Sequence, residues 1–147
     1  MQAAFFFSTI LHGSDQYEQM LRLRLDVLLQ PIGIGISFIN VPNEKNDLLL
    51  GAFREQELMA CCVLTRLNND LVQLRQMAVS REMQGQGLGA ALVQFAEQKA
   101  RENRYLAICL HARSTVVSFY EKSGYVIVGV PFEEVGIEHY RMEKRLQ

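Results

Sequence analysis

The stretch Gln84-Gly85-Gln86-Gly87-Leu88-Gly89 decides the interpretation of this sequence, because its three alternate glycines separate two segments of different periodicity. Before it, Leu71 to Val79 is apolar and β-branched enough to form a strand. After it, Leu88, Leu92 and Phe95 recur at helical spacing. A strand, a glycine turn and a helix N-terminus aim backbone N–H groups and the positive end of a helix dipole at one point. The stretch therefore predicts an anion cradle, and phosphate is the anion that suits it.

Two familiar phosphate loops can be compared with these letters. A Walker loop needs Lys followed by Ser or Thr after its last glycine, but Ala90-Ala91 follow Gly89, so that loop is excluded. The dinucleotide fingerprint is met by Gly85-x-Gly87-x-x-Ala90, yet the acidic ribose ligand expected about 20 residues on is missing. The strand predicted there ends in His111-Ala112-Arg113 instead. A dinucleotide-binding oxidoreductase therefore stays as a disfavoured alternative.

A third pattern fits better. Gln84-x-x-Gly87-x-Gly89 resembles the acetyl-CoA pyrophosphate loop of the GNAT superfamily of N-acetyltransferases. Downstream, Phe119-Tyr120-Glu121-Lys122-Ser123-Gly124-Tyr125 is similar to the family's Phe-Tyr-Glu-Lys-x-Gly-Phe/Tyr segment. The resemblance covers about 48–142 and implies a small, single-domain enzyme of the bacterial type across 1–147. Such an enzyme transfers acetyl from acetyl-CoA to a primary amine by direct attack in a ternary complex.

Length and composition agree with one domain. The chain has 147 residues, 49% of them hydrophobic, which suffices for a single core. A net charge of −1 and a pI near 6.3 give no reason to expect a nucleic-acid partner. The three cysteines, Cys61, Cys62 and Cys109, suit neither a disulfide framework nor a zinc site, so no metal is predicted.

The N-terminal run Ala3-Ala4-Phe5-Phe6-Phe7 lacks a basic flank and a cleavage signature, and it is predicted to be a first strand. No apolar stretch approaches the roughly 18 residues that a membrane span needs. We therefore expect a soluble, cytoplasmic protein without a membrane partner. The expected acceptor is a small-molecule or protein amine, and a homodimer is left open.

The first helix is predicted between Ser14-Asp15, which are typical capping residues, and Pro31. The following stretch, 32–39, alternates apolar residues with glycine or serine, and both a strand and an ordered loop are consistent with it. By the resemblance, this stretch borders the entrance for the acceptor.

The remaining chain alternates between predicted strands and helices. The sequence predicts strands at 48–53, 58–65, 71–79, 106–110, 125–130 and 137–146, and helices at about 87–103 and 116–123. The helix at 87–103 connects two strands that should be parallel. The predicted fold class is α/β (α+β): a mixed, mostly antiparallel sheet with one central parallel βαβ unit and helices on both faces.

The resemblance also assigns the cofactor-binding residues. The backbone of Met77-Ala78-Val79 would pair with the pantetheine as a further strand does, and a bulge in the family opens the slot for it. The pyrophosphate would accept main-chain hydrogen bonds from Gln84-Gly85-Gln86-Gly87-Leu88-Gly89. Where relatives often have asparagine, this chain has Arg113, which could contact a phosphate or only solvent.

Catalytic roles are implied for two residues. Tyr120 matches the family's general acid, and a phenol with a pKa near 10 is protonated at neutral pH and can donate to the leaving thiolate. On the acceptor side the amine must lose a proton, and the candidates are His111, Glu134, Glu138 and His139. His139 is the favoured one, although the base is not assigned. A catalytically silent acetyl-CoA sensor is the alternative function.

Overall fold

A mixed sheet of eight strands forms the centre of the computed structural model, which describes residues 4–147. Ala3, in the predicted first strand, therefore lies outside the described residues. The strand order is β1-β2-β3-β4-β5-β8-β6, with β7 also paired to β8. In these residues β4 and β5 are parallel and every other pair is antiparallel, as the sequence predicts. The strands are β1 (Phe5–Thr9), β2 (Leu48–Arg54), β3 (Glu57–Arg66), β4 (Leu71–Val79), β5 (Ala107–Arg113), β6 (Val126–Ile127), β7 (Phe132–Glu134) and β8 (Ile137–Arg145).

Helices cover both faces of the sheet. One apolar cluster joins the sheet to the third and fourth helices, and it includes Leu92, Ile108 and Tyr120. A second cluster joins the opposite face to the first helix, and it includes Met20 and Val63. Within residues 4–147 the α-helices are α1 (Asp15–Arg24), α2 (Val41–Glu44), α3 (Leu88–Glu102) and α4 (Val117–Lys122).

The first helix lies where the sequence predicts it, but it is not α-helical over its whole length. Regular α-helix ends at Arg24 and continues as a π-helical turn, Leu25–Leu29, and a 3₁₀ turn, Gln30–Ile32. Pro31 has no N–H with which to continue an α-helix. For the stretch 32–39, the sequence is consistent with both a strand and an ordered loop. It contains a second 3₁₀ turn, Ile36–Phe38, and is an ordered loop.

The prediction of one strand at 125–130 is partly wrong. It holds for β6, but the chain then leaves the sheet and rejoins it as β7. Four residues between β6 and β7 face two residues of β8. Gly129, with φ of 85°, and Pro131, which cannot donate to a strand ladder, explain the interruption.

Candidate active site

A gap opens in the sheet where β4 and β5 part. Their parallel pairing ends at Leu74 and Leu110. Beyond that point β4 shifts register against β3, so that Gln76 and Met77 face the single residue Cys62, and Gln76 has a φ of 54°. This is a β-bulge, which bends β4. Because β5 continues straight beside β8, the two strands diverge and leave an open slot between them.

A buried network of charges supports the bulge on the α1 face. The guanidinium of Arg24 donates to Glu44 at 2.9 and 2.6 Å, and its Nε donates to the side-chain oxygen of Gln76 at 3.3 Å. Tyr17 donates its hydroxyl to Glu44 at 2.7 Å. Burial alone would raise the pKa of Glu44, but the hydrogen bonds and charge of Arg24 outweigh it, and the pKa is lowered. Sequence reasoning missed this network, because its members lie far apart along the chain.

The glycine stretch forms the turn between β4 and α3. Gly87, with φ of 86°, is the N-cap residue of α3, and a Cβ built there would meet nothing within 4 Å. At Gly89 a Cβ would lie 3.2 Å from the ring of Phe119, so this glycine permits close packing of α3 on α4. The side chain of Gln84 donates to the carbonyl of Val79 at 3.0 Å, and that of Gln86 donates to the carbonyl of Glu82 at 2.8 Å. These two side-chain hydrogen bonds brace the turn.

Tyr120 lies on the α3 and α4 side of the gap. Its ring packs edge-on against Phe119 at 4.9 Å and against Tyr125 at 5.9 Å between centroids. The residue is 8% exposed. Burial raises the pKa of its hydroxyl, and nearby Cys62, which lies opposite the bulge, raises it further. Tyr120 therefore holds its proton at neutral pH.

Three of the four predicted acceptor-side candidates meet on the opposite face. His111 Nδ1 lies 3.1 Å from one oxygen of Glu134, and His139 Nε2 lies 3.7 Å from the other. The ring of Phe132 lies against both imidazoles. His139 is 5% exposed, and its Nδ1 donates to the carbonyl of Ile137 at 2.7 Å.

Glu138, the fourth candidate, is not part of this cluster. It pairs with Glu133 in the β7–β8 register, and strand alternation directs it to the other face from His139. Which side chains share a face could be inferred from alternation, but the meeting of β5 with β7 could not.

The π-helical turn after α1 is tied to both sides of the gap. Arg113 donates to the carbonyl of Leu28 at 3.4 Å. Arg81, in the 3₁₀ turn Arg81–Met83 after β4, donates to the carbonyl of Asp26 at 2.7 Å. These contacts connect the Leu25–Leu29 turn to the end of β5 and to the turn after β4. The predicted contact of Arg113 with the cofactor stays a prediction.

The three cysteines are poorly suited to act as nucleophiles. Cys61, Cys62 and Cys109 are all buried, and burial raises the pKa of each thiol. Among residues 4–147, no three histidine, cysteine, aspartate or glutamate side chains converge to hold a metal ion. Within the same range, no helix is long and apolar enough to cross a membrane.

Taken with the fold, this site defines a class of protein. A mixed sheet that parts at its parallel pair, with a glycine turn opening a helix beside the gap, is the acyl-CoA N-acyltransferase fold. Residues 38–146 match the family described as "Acetyltransferase (GNAT) domain". The chain belongs to the GNAT acetyltransferase family. The predicted fold class and the predicted enzyme class, an N-acetyltransferase, are both confirmed, and an acyl-CoA is the cosubstrate.

Individual relatives are more distant. Streptothricin acetyltransferase from Escherichia coli is 29% identical over 91 residues, which are 60% of this chain and 52% of that protein. An acyl-CoA N-acyltransferase from Pseudomonas aeruginosa superposes with a TM-score of 0.81 at 23% identity over 96% of this chain and 99% of that one. A GNAT family acetyltransferase from Elizabethkingia anophelis, with acetyl-CoA bound, gives a TM-score of 0.77 at 18% identity over 99% and 100%. At these identities the two solved structures support the fold alone.

Proposed function

We propose that this protein transfers an acetyl group from acetyl-CoA to a primary amine by direct attack in a ternary complex. The observation that carries the proposal is the gap between β4 and β5, which opens beside the glycine turn at the N-terminus of α3. A gap of this kind accepts an extended chain with amide groups, and the turn accepts a diphosphate. The family's description as an acetyltransferase supports acetyl as the acyl group, and one solved structure with the same fold has acetyl-CoA bound.

The cofactor contacts would be made mainly by the backbone. The bulge carries the main chain of Met77, Ala78 and Val79 away from β5. Because backbone N–H and C=O groups alternate in direction along a strand, those of Met77 and Val79 are the ones that could pair with pantetheine amides across the gap. The N–H groups of the glycine stretch would receive the pyrophosphate, where the helix dipole favours negative charge. Arg113, at the end of β5, is a further candidate for cofactor contact.

Tyr120 would act as the general acid. As the amine attacks the thioester carbonyl, the C–S bond breaks and its electron pair passes to sulfur. The hydroxyl of Tyr120 then donates its proton to the thiolate. Since burial raises the pKa of this hydroxyl, it stays protonated through the pH range in which amines react.

His139 would act on the acceptor side as a proton relay. Because it is 5% exposed and its Nδ1 already donates to Ile137, its Nε2 is the nitrogen that can exchange a proton, and that atom faces Glu134. Its path to the amine therefore runs through the Glu134 carboxylate.

The test is release of coenzyme A thiol, measured with acetyl-CoA and a panel of primary amines that includes streptothricin, aminoglycosides, polyamines and peptides with free N-termini. We expect thiol release that depends on the amine, together with acetyl-CoA binding in calorimetry. Tight acetyl-CoA binding with no amine-dependent release would favour the silent sensor, and binding of NADH in place of acetyl-CoA would favour the oxidoreductase.

A further inference from the structure

We propose that His111 is the catalytic base that contacts the acceptor amine, and that Glu134 positions it; this rests on the proposed acetyl transfer. His111 is the first residue of β5 beyond Leu110, where the pairing with β4 ends. It is therefore level with Arg75, immediately before the bulge. Strand alternation places its side chain on the α1 face, whereas Tyr120 lies on the other face. A thioester held in the gap would have the acid on one side and this imidazole on the other.

The hydrogen bond to Glu134 fixes which nitrogen of His111 is free. Nδ1 lies 3.1 Å from the carboxylate, which can only accept, so Nδ1 carries the proton and donates it. Nε2 is then left with its lone pair. Glu134 belongs to β7, on the far side of β8 from β5. Because the two nitrogens lie on different edges of the ring, Nε2 lies on the edge that does not face Glu134, and we infer that an amine in the gap approaches this edge.

The accessibility of the two histidines separates their roles. The side chain of His111 is 30% exposed, whereas that of His139 is 6% exposed. Phe132 contacts the His111 ring edge-on and the His139 ring by stacking, which holds both rings in place. His111 can therefore meet a substrate, and His139 can reach the amine only through Glu134.

The proton balance of the step is complete. As the amine nitrogen forms its bond to the carbonyl carbon, one N–H proton passes to His111 Nε2, and the Glu134 carboxylate stabilises the resulting imidazolium. The C–S bond breaks, and sulfur takes the proton of Tyr120. His111 then loses a proton to solvent and Tyr120 regains one, so that both return to their starting states. This arrangement resembles the carboxylate–imidazole pair of hydrolases, in which the carboxylate fixes the tautomer.

Several charged groups share this face of the sheet with His111. Arg141 of β8 lies directly opposite it, and Arg113 lies two residues further along β5. Arg75 of β4 is level with it across the gap. Glu134 and His139 complete the set, together with Glu143, which binds Arg141 at 3.3 Å.

The test compares His111→Gln, Glu134→Gln and His139→Gln with wild type on one amine, with His12→Gln as the matched control. His12 contacts the carbonyl of Val41, away from the cluster. We expect His111→Gln to lower kcat by about 10²–10⁴-fold, the range of general-base contributions, with unchanged acetyl-CoA affinity. In His111→Gln, the decrease of kcat/KM toward acidic pH, which is the acidic limb of the pH profile, should also disappear. Glu134→Gln should lower kcat less, because its amide oxygen can still accept from Nδ1, and His12→Gln should match wild type.

A cavity variant gives an independent readout. We expect imidazole added to His111→Ala to restore part of the lost rate, and to have no effect on His12→Ala. Two results would overturn this inference and leave the proposed function standing. One is wild-type activity with an unchanged pH profile in His111→Gln. The other is loss of the acidic limb in His139→Gln but not in His111→Gln. Absence of amine-dependent thiol release from wild type would overturn the proposed function, and this inference with it.

Discussion

The two sides of the β4–β5 gap are built in different ways. The side proposed to bind the cofactor consists of contiguous residues, from β4 through the glycine turn into α3, and it offers mainly backbone groups. The side proposed to bind the acceptor is assembled from side chains of β5, β7 and β8. Backbone groups tolerate changes of side chain, whereas a side-chain cluster depends on the register of every strand that supplies it. We therefore expect the first side to tolerate changes of its side chains and the second to depend on the particular side chains that form it.

The largest effect is expected at Tyr120, which is proposed to protonate the thiolate as the thioester breaks. Tyr120→Phe should lower kcat by about 10²–10⁴-fold with little change in acetyl-CoA affinity, because the hydroxyl acts on charge that develops only as the thioester breaks. Steady-state kinetics and calorimetry measure the two quantities. Tyr125→Phe is the matched control, since its hydroxyl binds Glu97 at 3.0 Å and its loss should reduce stability rather than kcat. An unchanged kcat in Tyr120→Phe, with chemistry rate-limiting, would remove Tyr120 from the mechanism.

The bulge in β4 should lose its support if the buried Arg24–Glu44 ion pair is broken. Arg24→Met leaves Glu44 buried without its cation, and this should lower the free energy of unfolding by about 3–5 kcal/mol at neutral pH. Denaturant titration measures it. Arg81→Met is the control, because the exposed Arg81–Asp26 pair should contribute at most about 1 kcal/mol.

The same variant should show a defined pH dependence. The lowered pKa of Glu44 contributes stability that is fully present above the ordinary carboxyl pKa of about 4.3 and is lost as the pH falls through the folded-state value. The difference in the free energy of unfolding between wild type and Arg24→Met should therefore become smaller below about pH 4. A difference in the free energy of unfolding that stays constant down to pH 2 would show that it does not arise from this ion pair.

Acetyl-CoA binding should be sensitive to changes in the backbone of the glycine stretch and less sensitive to changes in its side chains. Gly87→Val should weaken acetyl-CoA binding on the order of 100-fold, because a β-branched residue is strained at φ of 86° and its side chain occupies the space left for the anion. Calorimetry measures the affinity. In Gln86→Ala the turn keeps its N–H groups, so binding should stay close to that of wild type. Equal affinity in Gly87→Val and wild type would place the pyrophosphate elsewhere.

The smallest effect is expected at the hairpin that carries Glu134. Val135 and Gly136 connect β7 to β8 with φ of 48° and 74°, the pattern of a type I′ turn, and a β-branched residue is unfavourable there. Val135→Asn should raise the free energy of unfolding by about 1 kcal/mol, or Tm by roughly 2–4 °C. Val130→Asn, at an exposed position outside this turn, should change little. A lower Tm in Val135→Asn would show that the turn is not strained.

Prediction from sequence succeeded where structure is local. The glycine stretch, the strand before it and the helix after it are contiguous, so their spacing predicts βαβ geometry directly. The two motifs at Gln84 and Tyr120 then sufficed for the fold and the family. The roles of the individual residues remain predictions.

Prediction was weakest where structure depends on distant partners. The bulge at Gln76 is supported by Arg24, 52 residues earlier, and no local pattern signals that contact. The two extra residues between β6 and β7 set which side chains of β7 meet His111, and a continuous strand was predicted there. A shift of one residue would exchange the two faces of the hairpin and bring Glu133 in place of Glu134.

The central claim is that acetyl-CoA enters the gap and meets acid and base on opposite faces, and a crystal structure of the complex with acetyl-CoA tests it most directly. We predict that the pantetheine pairs with the main chain of Met77 and Val79, that the pyrophosphate lies at the N-terminus of α3, and that the thioester lies between Tyr120 and His111. A cofactor bound outside the gap, or a thioester beyond reach of both side chains, would contradict the account.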